Sequence, residues 1–146
     1  MRDDESLGRI AFIGSGPLPL TSLCVLQSLN RTIPAQESEE SAKTRILNID
    51  SSLVAVSQSQ RLCEVLGSQW SEGMEFSHSA AGEEDLNSFD VVFLAALVGN
   101  TQEEKECVLE GVVGRMRRGG LVVVRSARGC RGLLYPVSFD NVDVFP

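Results

Sequence analysis

The stretch RIAFIGSGPLPLTS, Arg9–Ser22, decides how this sequence is read. Its first part is a short apolar run closed by glycine, the pattern of a strand buried on both faces. Gly14-Ser15-Gly16 then allows a tight turn and a close approach of backbone to a ligand. In an open α/β sheet, ligands bind outside the carboxyl ends of the strands, and this loop falls there. Two prolines, Pro17 and Pro19, stand where the next helix should begin. They remove amide donors that would otherwise point at a pyrophosphate. Pro19 also takes the place of the third small residue of the dinucleotide fingerprint. The loop is therefore a poor phosphate cradle, which argues against NAD, FAD and ATP.

Working outward, strand-like runs alternate with helical ones. Leu20–Asn30 reads as a helix with Leu23, Leu26 and Leu29 near one face, and Arg31–Lys43 as an exposed polar loop. Arg45–Asp50 is a second strand ending in an acid. Ser51–Gly67 reads as a helix with Leu53, Val56, Cys63 and Leu66 near one face; Ser51 or Ser52 can cap it and Gly67 can end it. Met74–Ser79 is a third strand, and Asp90–Gly99, β-branched and aromatic, the strongest one. The helix after it starts at Asn100 or Thr101, where TQEE fits a capping box. Val108, Val112 and Met116 make its apolar stripe, with Leu109 and Val113 beside it. Arg115, Arg117 and Arg118 fall in its last turn, where cations complement the helix dipole, and Gly119-Gly120 stops it. Leu121–Ala127 is a fifth strand; a short helix around Gly129–Tyr135 and part of a sixth strand at Val142–Phe145 follow. The alternation predicts one α/β domain over residues 1–146, with a polar tail over 1–8. It is a doubly wound, mostly parallel sheet of order 3-2-1-4-5.

Composition limits the partners. The chain has 146 residues, 42% hydrophobic and 23% charged, with net charge −7. Nucleic acid is disfavoured, because phosphate neutralisation needs clustered Lys and Arg. No apolar run reaches the roughly 20 residues that span a bilayer. The N-terminus is polar and acidic, unlike a signal peptide. Cys24, Cys63, Cys107 and Cys130 are scattered without a CxxC pair, and His78 has no cysteine near it, so no zinc site is expected. The cysteines read as small buried hydrophobes of a reducing cytoplasm.

The loop Gly14, Ser15, Gly16, Pro17 and Leu18 instead suits a nucleoside without phosphates, S-adenosylmethionine being the common one. Asp50 supports this, since an acid ending the second strand is placed to accept hydrogen bonds from ribose hydroxyls. It lies 34 residues beyond Gly16, more than the usual ~20; the polar insert accounts for the excess. A cap for the following helix is a compatible second role. His78 reads as an exposed strand-end residue and Trp70 as a lid on the core.

Three separated blocks, IAFIGSGPLPLTS, DVVFLAALVG followed by EEK, and LVVVRSARGCRGLLYPV, together resemble nicotianamine synthases. The likeness runs from Arg9 to about Val137. It implies an S-adenosylmethionine-dependent methyltransferase-like Rossmann fold, incomplete here at its C-terminal edge. The implied activity is transfer of 3-amino-3-carboxypropyl groups from S-adenosylmethionine, with methylthioadenosine released and nicotianamine, a metal chelator, built up. No protein metal site is implied. Ala95, Ala96 and Leu97 join the loop and Asp50 as implied substrate-binding residues, and Arg125 and Tyr135 are the candidate catalytic residues. Family members are expected to be roughly twice this length, with a helical domain that supplies some of the groups holding the acceptor amine. Where the family carries an Asp after the third strand, near the adenine amine, this sequence has Ala80. Glu83, Glu84 or Asp85 can substitute only if their loop folds back. A binding-only remnant and an S-adenosylmethionine-dependent methyltransferase are the competing readings.

Overall fold

A computed structural model describes residues 9–32, 44–95 and 100–125. Among them, five strands are β1 (Arg9–Ile13), β2 (Ile46–Asp50), β3 (Met74–His78), β4 (Phe89–Leu94) and β5 (Leu121–Val124). The helices are α1 (Leu20–Thr32), α2 (Leu53–Leu66), α3 (Ser68–Ser71) and α4 (Gln102–Arg115). The strands form one sheet in the order β3-β2-β1-β4-β5, and every pairing is parallel. The expected order is thus the observed one.

The period-2 alternation of β1 splits the core into two layers. Ile10 faces Leu23 and Leu26 of α1 and Cys63 of α2. Ala11 and Ile13 face the other way, with Val112 of α4 and Leu86 of the β3–β4 connection. Helices therefore cover both faces, as a parallel sheet requires. Gly73, just before β3, is a close approach: a Cβ there would lie 2.7 Å from Leu26 Cδ2.

Several local expectations need correction. α2 turns Ala55, Val56, Ser59 and Cys63 inward, while Leu53 and Leu66 are exposed. The packing stripe is set by the sheet below, and Ser59 joins it because its hydroxyl bonds back to Val56 O at 3.0 Å. α4 ends at Arg115, so Arg117 and Arg118 lie beyond it and Val113 is exposed. Gly111 and Gly114 weaken its last turns. Arg115 Nε bonds the Gly111 carbonyl at 2.9 Å, and Arg117 pairs with Asp90. Cys63 is buried, but Cys24 and Cys107 are exposed, so the reading of all four as buried fails for these two. α3, which holds the half-buried Trp70 against the core, is an element the sequence pattern did not reveal. α1 runs on to Thr32, so Arg31 and Thr32 belong to the helix and not to the polar loop read over Arg31–Lys43. The rest of that loop, 33–43, the short helix around Gly129–Tyr135 and the sixth strand lie outside the described residues.

Candidate nucleoside site at the strand ends

The carboxyl ends of β1, β2 and β4 converge on the glycine loop. Gly14 and Gly16 have φ of 77° and 69°, a region open to glycine at little steric cost. Gly14 N and Ser15 N donate to Ile49 O at 2.8 and 3.3 Å, fastening the loop to β2. Gly16 N donates to Asp50 Oδ2 at 2.8 Å. The other oxygen, Asp50 Oδ1, accepts from Ser52 N at 2.9 Å. One half-buried carboxylate thus holds the loop and the start of α2 together. A carboxylate has about four acceptor positions, so capacity remains for hydroxyls of a ligand.

The prolines act differently from a simple first-turn placement. Pro19 is buried and precedes the helix; its carbonyl accepts the first helical bond, from Leu23 N at 3.0 Å. Pro17 and Leu18 are exposed on the rim. Leu20 N turns back to Leu18 O at 2.8 Å. From Gly14 to Leu20, then, every amide is absent or already bonded within the protein except that of Leu18. A polyanionic phosphate group needs several free amides, and this loop does not offer them.

Behind the loop sits a polar contact that sequence reasoning missed. Asn48, fully buried in β2, accepts from Ser22 Oγ at 2.6 Å, and its amide donates to Glu75 O at 3.3 Å. The signal was available: a lone amide inside ILNID must find partners once buried. On the far side of β2, the 79–88 connection is tied to itself and to the end of β3 by its own acids. Glu84 accepts from Ser79 Oγ at 2.9 Å and from Ser77 Oγ, and Glu83 accepts from Ala80 N at 3.1 Å. Asp85 instead turns to Asn87 N at 3.0 Å. Arg115 holds the connection in place by donating to the carbonyls of Ala81 and Glu84.

Ala95 continues β4, its N–H bonded to Ile13 O at 3.0 Å. Arg125 reaches Thr21 Oγ1 in the first turn of α1 at 2.6 Å. His78 is exposed, as expected, its Nε2 lying 3.1 Å from Ser51 O. Ala96, Leu97 and Tyr135 lie outside the described residues. Among those described, no three His, Cys, Asp or Glu side chains are grouped to hold a metal, and no helix is long and apolar enough to cross a membrane.

The comparisons agree with this geometry. Residues 3–145 match the model of the family described as nicotianamine synthase protein. Nicotianamine synthase 3 of Oryza sativa subsp. indica is 41% identical over 131 residues, covering 88% of this chain and 35% of its own length. Nicotianamine synthase 3 of Arabidopsis thaliana is 38% identical over 137 residues, covering 88% and 37%. The chain thus spans little more than a third of the length of these curated relatives. A crystal structure of a MtNAS mutant in complex with S-adenosylmethionine superposes with a TM-score of 0.67 at 22% identity, covering 92% of this chain and 44% of that one. A glycopeptide N-methyltransferase bound to S-adenosylmethionine gives 0.63 at 11% identity, covering 88% and 51%. These two share the fold, an S-adenosylmethionine-dependent methyltransferase-like Rossmann sheet. By sequence, the chain belongs to the nicotianamine synthase family.

Proposed function

We propose that the chain binds S-adenosylmethionine at the β1 loop and acts in aminocarboxypropyl transfer toward nicotianamine, as a single Rossmann-like unit in the cytoplasm. The observation that carries this is the loop whose amides are spent on Ile49 and Asp50 or replaced by proline. It leaves room for a nucleoside and little for phosphate. Gly14, Ser15, Gly16, Pro17, Leu18, Ala95, Ala96 and Leu97 form the proposed binding surface, and Asp50 accepts from the ribose hydroxyls. Glu83, bonded to Ala80 N, and Glu84, bonded to Ser77 and Ser79, are the acids proposed for the adenine end.

In the proposed reaction, the amine of one aminobutyrate unit attacks the γ-carbon next to the sulfonium. The new C–N bond forms as the C–S bond breaks, the electron pair goes to sulfur, and methylthioadenosine leaves. The amine's proton passes to a base or to solvent. The sulfonium is already a good leaving group, so the protein's share is alignment and exclusion of water. Leu18 and Leu20 at the loop, and Leu53 and Val54 at the start of α2, are exposed apolar side chains. No metal takes part in this scheme.

Incubation of the chain with S-adenosylmethionine should release methylthioadenosine. Release of S-adenosylhomocysteine instead would mark a methyltransferase and sink the reading. A second reading, which the bonded amides of the loop fit equally, is a unit that binds the nucleoside without turnover. Calorimetric binding with no methylthioadenosine formed would establish that one.

A further inference from the structure

β5 ends at Val124, and Arg125 follows it directly. The backbone N–H of Arg125 donates to Leu94 O at 2.9 Å, setting it beside the end of β4. Val123 pairs with Phe93 and Val124 with Leu94. Alternation then puts the Arg125 side chain on the face of Phe93, the face that α1 covers. From there Nη1 reaches Thr21 Oγ1 at 2.6 Å. β4 lies between β5 and β1 in the sheet, so the arm passes over the carboxyl end of β4 to reach the helix that follows the glycine loop.

The chemistry of this contact is unbalanced. Arg125 is exposed, and among the described residues its guanidinium has no carboxylate partner, only one neutral hydroxyl. A guanidinium carries five N–H donors in a planar fork that matches a carboxylate. A carboxylate is also a stronger partner for it than a hydroxyl.

The position supplies the ligand's orientation, given the reading of S-adenosylmethionine as ligand, on which this inference rests. Asp50 takes the ribose on the β2 side. The amino-acid end of the same molecule then extends the opposite way, over β1 toward β4 and β5. We infer that Arg125 is the anchor for the α-carboxylate of the bound S-adenosylmethionine, exchanging the Thr21 hydroxyl for it when the ligand enters. After transfer, the carboxylate departs with the aminocarboxypropyl group. Methylthioadenosine has no such group, so the spent nucleoside loses this anchor and the arm returns to Thr21.

Calorimetric titrations of the chain with S-adenosylmethionine, decarboxylated S-adenosylmethionine and methylthioadenosine test the inference. The wild type should prefer the carboxylate-bearing ligand to its decarboxylated form. Arg125→Ala should weaken S-adenosylmethionine by roughly tenfold or more, leave methylthioadenosine unchanged, and erase that preference. Arg125→Lys should fall between, since an ammonium is a point charge without the fork. Thr21→Val removes the bridge but keeps the guanidinium, and should retain the preference. Equal weakening of all three ligands in Arg125→Ala, or a matching loss in Thr21→Val, would make the arm a structural strap and overturn the anchor alone. A wild type that binds none of the three overturns both the anchor and the proposed ligand.

Discussion

Asp50 is the residue on which the candidate site turns, and it already has two partners before any ligand arrives. Its oxygens accept from Gly16 N and Ser52 N, so the side chain shapes the loop. Asp50→Ala should lower stability by about 1–2 kcal/mol through the two lost bonds, read by urea denaturation, and weaken S-adenosylmethionine at least tenfold. Asp50→Asn keeps an oxygen for one of these amides and should recover much of the stability while binding stays weak. Cys63 offers a second check. Burial raises its thiol above the ordinary 9.0. Above that pH the unfolded chain sheds this proton while the folded chain keeps it. The unfolded state then binds fewer protons, and stability falls as pH rises. The contribution is fully present below pH 9.0 and is lost above it. Cys63→Ala should flatten the pH-dependence of the urea midpoint between pH 8 and 10 relative to wild type.

At the scale of elements, helix starts were legible, and so was the end of α2 at Gly67, but the end of α4 was not. TQEE forms the capping box, with Glu104 N on Thr101 Oγ1 at 3.2 Å and the Glu104 carboxylate returning to Thr101 N at 3.3 Å. Ser52 caps α2 through a bond from Ala55 N at 3.3 Å. Caps are local chemistry, set within four residues. The end of α4 depends instead on Arg115, whose partners Ala81 and Glu84 are about thirty residues away in sequence. A dipole argument placed Arg115 near a helix end but could not find those carbonyls. Arg115→Ala should free the 81–86 turn, seen as faster amide hydrogen exchange there with little change in β1 and β2. Lysine should not restore it, having no fork to reach both carbonyls.

For the whole molecule, the two core layers meet across β1 and β2, and Asn48 ties one of them together. Its contact with Ser22 joins α1 to the sheet directly behind the glycine loop. Asn48→Ala leaves the Ser22 hydroxyl without this partner in a buried place. That should cost about 1–3 kcal/mol, measured by thermal denaturation.

The sequence by itself determined the order of the five strands and of α1, α2 and α4, the sheet order and the family. Each of these rests on apolar period, right-handed crossovers or motif blocks, which are properties of contiguous residues. Only the tertiary structure decided how the site is held. It showed that Asp50 clamps the loop, that Pro19 stands before α1, that the 79–88 connection is tied to β3 by its own acids, and that Arg125 reaches Thr21. These are contacts between segments far apart in the chain, and their partners depend on which strands lie side by side. The prolines of Arg9–Ser22 were read as lost phosphate donors. The folded loop adds that its remaining amides are spent on Ile49, Asp50 and the turn at Leu18, with that of Leu18 itself the exception.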